Sequence, residues 1–335
     1  MGAERWKRQG LRNKNASFVL TNIILPTLNA LIAISFDGYS CIMRTIRIPS
    51  ASLLAEADFM NIIETDFSSM SRPEQIRHFE VEGYVVLPSV LTPDVIGRLK
   101  SELADVEMSH TSYSTQQTRS IEQPQWLSRA VAELIGYPPV IDFLSDLMGP
   151  DIVFTRGFFQ RSLPGCPGIS MHTDGQPHGS NLFGYEGSCP RLVRVLYYLD
   201  TLTVERAPFR LIPRSHLSFH AEASPYLRYK SHPEEITLIV PAGSAVLIPS
   251  LLFHGSHPNM DSSPRELIQL GYRPAWAGPI QPIEDWRADL VASAPDIARP
   301  FLQSLNTTGQ AFEQEHKPTG MRSEAPGIKP SRWEC

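Results

Sequence analysis

A histidine and an aspartate stand two positions apart in Met171-His172-Thr173-Asp174-Gly175. Along an extended segment such residues project to the same side, because side chains alternate with a period of two. An imidazole and a carboxylate so placed can take neighbouring positions on one metal ion. A third ligand then has to come from elsewhere in the chain. His254, in Phe253-His254-Gly255-Ser256, is the best-placed candidate. Two imidazoles and one carboxylate on one face of an octahedral ion leave the opposite face open. That set suits a non-haem iron(II) that must also bind a co-substrate and oxygen. His-x-Asp alone is a common triplet in ordinary loops, so its weight comes from the rest of the chain.

The other histidines fit the third position less well. His178 is too close to His172 to arrive on a separate strand, and His257 lies three residues past His254, where an extended chain turns it elsewhere. His216 and His220 fall in or beside a Pro-Arg-Ser-His loop and read as structural. Arg265 adds a second constraint. It comes eleven residues after His254, just before the strand Glu266 to Leu270. A 2-oxo acid that chelates iron through one end leaves a carboxylate at the other. A guanidinium binds such a group by two parallel hydrogen bonds. Ser256, two residues after His254, can turn a hydroxyl to the same side. Singly, Arg265 would be a surface charge and Ser256 a turn residue; grouped with His254 they favour a binding role. Arg156, Gln160, Gln176 and one of the adjacent pair Tyr197 and Tyr198 are the further residues expected near the mouth of the site. Gln160 could meet either the co-substrate or the substrate.

Residues so far apart must be carried to one place by a scaffold. Ile152 to Gln160, Leu192 to Leu199, Phe209 to Ile212, Ile236 to Val240, Ala245 to Ile248 and Leu267 to Tyr272 read as short strands. Pro164-Gly165, Pro213, Pro241-Ala242-Gly243 and Pro249 separate them. Helical spacing precedes this region: Glu74 to Phe79, then Thr92-Pro93 with Val95, Ile96, Leu99 and Leu103, then Trp126 to Ile135, then Val140 to Leu147 before Gly149-Pro150. The expectation is a mainly β fold with flanking helices, a double-stranded β-helix of the jelly-roll, cupin-like kind. In it, strand ends and loops at one mouth gather distant residues, with His172-Thr173-Asp174 expected at the start of one strand and His254 after Val246 to Ile248, near the end of a later one. Residues 1–72 read as an extension of unclear role, 73–280 as the β-helix domain with its helical lead-in, and 281–335 as a covering tail. That tail has helical stretches at Trp286 to Val291 and Ile297 to Leu305.

Of the 335 residues 42% are apolar, enough for a substantial core, and the formal charge of −5 comes without a dense basic block, which argues against nucleic acid as a partner. A small-molecule substrate is the expected partner. Cys41, Cys166, Cys189 and Cys335 are scattered, with no Cys-x-x-Cys pair, so neither a disulfide framework nor a zinc–thiolate site is expected. The expected location is cytoplasmic. The alternative is N-terminal targeting or anchoring, because the basic positions Arg5 to Lys14 precede the apolar stretch Ser17 to Phe36. Thr21, Asn22, Pro26, Thr27 and Asn29 interrupt that stretch, which disfavours a permanent membrane span.

Four pieces, in order, resemble the phytanoyl-CoA dioxygenase family of iron(II)- and 2-oxoglutarate-dependent oxygenases. They are the segment Phe79 to Leu103, His172-Thr173-Asp174, Leu211-Ile212-Pro213-Arg214-Ser215-His216, and Phe253-His254-Gly255-Ser256 through Asn259 and Pro264-Arg265. The resemblance spans about residues 74–275 and leaves the first seventy without a counterpart. It implies that His172, Asp174 and His254 hold iron(II), and that Arg265 and Ser256 anchor 2-oxoglutarate. It further implies that oxygen is the co-reactant, succinate and carbon dioxide are products, and an aliphatic carbon of a small organic or lipid-like substrate is hydroxylated. Asp174 argues against halogenation, since related halogenases leave the carboxylate position empty. The chain departs from the family at Arg214, where a glycine is usual in the turn, and at Ala207-Pro208, where a glycine is common before the strand. Two other readings of the same residues stay open. One is a cupin-like protein that binds a metal or small molecule without turnover, which would not need Arg265 with Ser256. The other is a zinc hydrolase, for which no extra general base stands in register.

Overall fold

Ser71 and Glu74 cap each other's backbone at the start of helix α1 (Arg72–Glu82), and Gly83, at φ 86°, closes it in the left-handed region. Thr92 accepts the Val95 N–H at the start of α2 (Pro93–Leu103), where Pro93 takes the first turn, a position that needs no N–H. Helices α3 (Arg129–Leu134) and α4 (Pro138–Met148) follow. The sequence predicts one helix from Trp126 to Ile135. The chain instead makes a 3-10 turn, Pro124–Trp126, and then α3, because the Ser128 hydroxyl accepts the Val131 N–H and begins a new helix. The computed structural model describes residues 61–63, 66–109, 118–174, 192–218, 225–279 and 282–308.

Among the described residues the strands form two sheets. The larger contains β2 (Val85–Leu87), β3 (Thr118–Glu122), β4 (Ile152–Ser162), β6 (Val193–Tyr198), β9 (Ala245–Pro249) and β11 (Arg265–Pro274), in the order β2-β9-β6-β11-β4-β3. The smaller contains β1 (Ile62–Ile63), β5 (Ile169–His172), β7 (Phe209–Leu211), β8 (Ile236–Leu238) and β10 (His254–Ser256), in the order β1-β8-β7-β10-β5. Every pairing is antiparallel except β1 with β8. The fold is a double-stranded β-helix.

Every residue of β6 is buried, because both faces of the larger sheet are covered. One face carries Tyr197, Ile268 and Tyr272 towards the helices, where the Tyr272 hydroxyl donates to the Ile135 carbonyl at 3.1 Å. The other face carries Gln160, Ser162, Arg265, Leu267, Tyr198 and Arg194, which the register sets on one side. Of the two adjacent tyrosines, Tyr198 therefore faces the interior of the β-helix.

Two site-bearing segments differ from their expected places. His172 closes β5 instead of starting a strand, and Asp174 lies past it in a bend, its N–H donating to the Ser250 carbonyl at 2.9 Å. His254 opens a three-residue strand of its own instead of ending the one that holds Val246 to Ile248. The chain turns after Pro249, where the Leu252 N–H meets the Pro249 carbonyl, and crosses to the smaller sheet. In the tail the first predicted helix is α5 (Ala288–Ser293) and the second is a single 3-10 turn, Arg299–Phe301. Pro295 holds Ala294 extended and stops α5, and Pro300 has no N–H for a longer helix. Trp286 stacks on Phe154 at 5.7 Å, and the Arg273 guanidinium donates to the Leu305 and Thr307 carbonyls, which fastens this segment to the end of β11.

Ala207 and Arg214, the two positions where glycine is usual in the family, have φ of 42° and 65°. Both hold the left-handed backbone without glycine's freedom, at a cost of about 1–2 kcal/mol each. Arg214 gains a salt bridge to Glu82 at 3.0 Å, and its N–H donates to the Glu82 carbonyl. The apolar stretch Ser17 to Phe36, Gln176, His178 and His220 lie outside the described residues. Among the described residues no helix is long and apolar enough to cross a membrane.

Candidate active site

β5 and β10 pair so that His254 stands directly opposite His172, which brings their rings to 4.6 Å between centroids. The register slips between His254 and Ser256, a bulge of the kind that re-aims a side chain at a site. Each imidazole is turned by its own backbone. His172 Nδ1 lies 2.9 Å from the Ser170 carbonyl, and His254 Nδ1 lies 2.9 Å from the Leu252 carbonyl. A carbonyl only accepts, so each Nδ1 carries the hydrogen and each Nε2 keeps its lone pair. Those lone pairs face Asp174. Its Oδ1 is 3.8 Å from His172 Nε2, and its Oδ2 is 3.9 Å from His254 Nε2. One donor atom from each of the three residues falls within 4.8 Å of the others. This is somewhat wider than the ~3 Å between neighbouring ligands on one ion with bonds of about 2.1 Å, and small side-chain rotations close the difference.

The electrostatics suit a cation. Burial pushes His254 down to about 4, against the pull of Asp174, so its imidazole is neutral at pH 7. Burial pulls Asp174 upward, but His254, Arg194, His172 and Arg156 together outweigh it and hold the carboxylate below its usual range. A neutral His254 nitrogen beside an ionised Asp174 carboxylate is the state a divalent metal needs of its ligands.

Arg265 is 2% exposed, at the head of β11. Its guanidinium lies 5.8 Å from the centre of the Tyr198 ring. Its Nε and Nη1 are buried without a hydrogen-bond partner among the described residues, as is the Ser162 hydroxyl directly across the ladder. A buried cation left in that state is unusual, since an uncompensated buried charge costs several kcal/mol. The chemistry that resolves it is an incoming carboxylate. The Ser256 hydroxyl accepts the Ile169 N–H at 3.1 Å and still has its own proton to donate. Gln160 shares the interior face, across from Leu267 and Ser120.

His257 and His216, the other candidates among the described residues, have partners elsewhere. His257 Nε2 lies 2.9 Å from the Thr237 hydroxyl, and His216 Nε2 lies 2.9 Å from the Glu80 carbonyl. Arg194 is the residue that sequence reasoning passed over. On β6, and 2% exposed, its Nε lies 3.2 Å from Asp174 Oδ2. Arg156 is level with it across Gly271, where an added Cβ would come within 3.2 Å of the Arg156 Cγ. Its signal in the sequence was a single charge inside the apolar run Leu192 to Leu199.

Residues 79–267 match the sequence pattern of phytanoyl-CoA dioxygenase (PhyH). The chain belongs to the phytanoyl-CoA dioxygenase family. Among characterised members it is similar to dioxygenase trt7 of Aspergillus terreus, with 25% identity over 223 residues, 62% of this chain and 74% of that protein. It is also similar to ectoine dioxygenase of Nocardia farcinica, with 24% identity over 231 residues, 59% of this chain and 76% of that one. Solved structures of the same fold include HygX from Streptomyces hygroscopicus with nickel and 2-oxoglutarate bound. It superposes with a TM-score of 0.54 at 19% identity over 66% of this chain and 94% of its own. The α-ketoglutarate-dependent epimerase SnoN from nogalamycin biosynthesis gives 0.51 at 17% identity, over 61% and 83%.

Proposed function

We propose that this family member is an iron(II)- and 2-oxoglutarate-dependent oxygenase that hydroxylates an aliphatic carbon of a small organic or lipid-like substrate. His172, Asp174 and His254 hold the iron in this reading, and Arg265, Ser256 and Gln160 face the co-substrate. The observation that carries it is Arg265: a buried guanidinium whose Nε and Nη1 have no hydrogen-bond partner among the described residues, on the interior face that also bears Arg194, which touches Asp174. A jelly roll that merely holds a metal has no use for such a cation. When bound, iron(II) with 2-oxoglutarate and oxygen supplies oxidative decarboxylation to succinate and carbon dioxide and the oxidising power for a C–H bond. The protein supplies position. The Ser170 and Leu252 carbonyls fix both imidazoles by their Nδ1 hydrogens. Arg265 fixes the far carboxylate of the co-substrate, and Ser256 donates its hydroxyl beside it. Phe209, with its ring 5.6 Å from that of His254, excludes water from one flank.

Hydroxylation is the outcome favoured by Asp174, which occupies the position a halide would need. An epimerase and a carbocyclase of the same fold exist, so product identity is tested separately from turnover. We assign the catalysis to residues 73–280, between the extension 1–72 and the tail 281–335. The test is succinate release by the purified full chain with iron(II) and 2-oxoglutarate, screened over small-molecule and lipid-like substrates, followed by product mass. A gain of one oxygen with stoichiometric succinate supports the reading. Succinate coupled to a product of unchanged mass, or two hydrogens lighter, replaces hydroxylation by epimerisation or ring closure. Absence of succinate under all conditions favours the cupin-like binding protein.

A further inference from the structure

We propose that Arg194 is a positioning residue that confines Asp174 to a single metal-binding oxygen, and so keeps open the place its second oxygen would take. The inference rests on the reading of His172, Asp174 and His254 as ligands of one iron. A carboxylate binds a divalent cation through one oxygen or through both. On an octahedral ion, two imidazoles and one carboxylate oxygen leave three positions. A chelating 2-oxo acid takes two of these and oxygen the third. An aspartate bound through both oxygens would leave only two, too few for both reactants. A free aspartate on a short bend, with both oxygens turned towards the two imidazoles, has no built-in preference for one mode.

The surroundings of Asp174 supply that preference. Its Oδ2 is buried and receives no hydrogen bond from the described residues, while Arg194 Nε stands 3.2 Å away. Its Oδ1 lies towards His172 Nε2 at 3.8 Å. The arginine has little room to move. It sits mid-strand in β6, between Ile248 of β9 and Gly271 of β11, and is 2% exposed. Withdrawing it from Asp174 would break a buried ion pair, which is strongly destabilising. The ion pair therefore reserves Oδ2, and Oδ1 is the oxygen left to coordinate. The aspartate itself is tethered from behind by its N–H to the Ser250 carbonyl. Arg156 is level with Arg194 across Gly271 and adds positive charge near the same carboxylate.

A purely structural ion pair predicts something different. It would hold the bend in place, so its loss would weaken metal and co-substrate alike. Control of denticity separates them: the metal stays bound through a carboxylate now free to use both oxygens, while the chelating 2-oxo acid loses a position.

The test uses the full chain as wild type, Arg194→Gln and Arg194→Lys. Nickel(II) affinity is measured by calorimetry, and 2-oxoglutarate affinity by anaerobic titration of the iron(II) form. For Arg194→Gln the expected results are nickel affinity within about threefold of wild type and 2-oxoglutarate affinity reduced by roughly tenfold or more, the usual scale for groups that orient a ligand. Arg194→Lys, which keeps the charge, recovers part of the loss. Unchanged 2-oxoglutarate affinity, or equal weakening of nickel and 2-oxoglutarate, overturns the proposal. Should the variants fail to fold, the nickel-bound wild-type crystal structure decides. One Asp174 oxygen on the metal with the other on Arg194 supports the assignment; both oxygens on the metal, or Arg194 turned away, contradicts it. A wild-type chain that takes up neither nickel nor iron overturns the metal-centre reading and this inference together.

Discussion

The two sheets contribute to the site in opposite ways. The smaller sheet presents the candidate metal ligands from short pieces of chain: the last residue of β5, a bend after it, and the first residue of a three-residue β10. Local hydrogen bonds set them, each histidine to a carbonyl two residues back and Asp174 to Ser250. The larger sheet presents cations, Arg265, Arg194 and Arg156, from longer strands, where register decides which side they face. In the proposed reading, groups that adjust around an ion sit on short strands and in a bend, and groups that hold a fixed charge against a carboxylate sit on longer strands.

The largest expected effect breaks the smaller sheet's half of the site. His172→Ala or His254→Ala should cost at least about a hundredfold in iron(II) affinity, more than the usual loss for a group that only orients a ligand. Calorimetry with nickel(II) checks this without depending on turnover. The next effect comes from the larger sheet and should leave the metal in place. Arg265→Ala should weaken 2-oxoglutarate by on the order of a hundredfold, the range for breaking a buried charge pair. Metal affinity should stay within a few-fold, and Tyr198→Phe should change neither, because it keeps the ring that stands against the guanidinium. Equal weakening of metal and co-substrate by Arg265→Ala would reduce Arg265 to a structural role and erase the division between the sheets.

A third test concerns acid. Burial, with Arg210 nearby, pushes His257 down to about 4, against about 6.5 for an unfolded histidine. A depressed value means the neutral form is favoured in the folded state. The associated stability is therefore fully present above about pH 6.5 and is lost as pH falls through about 4, by up to about 3 kcal/mol. His257→Gln keeps a hydrogen-bonding group near Thr237 but cannot titrate. Its melting temperature, measured metal-free from pH 7 to pH 4, should fall less steeply than that of wild type. Parallel curves would place the acid sensitivity elsewhere, in the His254 and Asp174 pair.

The smallest effect tests backbone strain in the loops that feed the smaller sheet. Ala207→Gly should relieve a left-handed residue and stabilise the chain by up to about 1 kcal/mol, read as a higher urea midpoint with an unchanged slope. Arg214→Gly should gain less, because it also gives up the contact with Glu82.

The contrast between the sheets also explains what could be read from the residues beforehand. The grouping of His172, Asp174 and His254 was legible because a candidate metal centre calls for those residue types whatever the fold. The strands of the larger sheet were legible because long apolar runs between prolines have one sensible reading. The exact placement of His172 and His254 was not, since it depends on where a turn after Pro249 and a bend after His172 break the alternation. Arg194 was hidden for a related reason. Its role appears only when β6, β9 and β11 are in register and Asp174 folds over them, a tertiary fact that no local pattern encodes. The break at Ser128 and the short tail helices were local after all. They follow from a capping hydroxyl and from two prolines, Pro295 and Pro300, whose effect outweighed the apolar spacing.

The most direct test is an anaerobic titration of the full chain with iron(II) and then 2-oxoglutarate, followed by visible absorption. One iron and one 2-oxoglutarate per chain, with a weak charge-transfer band that is absent from His254→Ala, is the predicted result. Iron uptake with no band in the wild-type chain, or a band that survives in His254→Ala, would contradict a centre built from His172, Asp174 and His254.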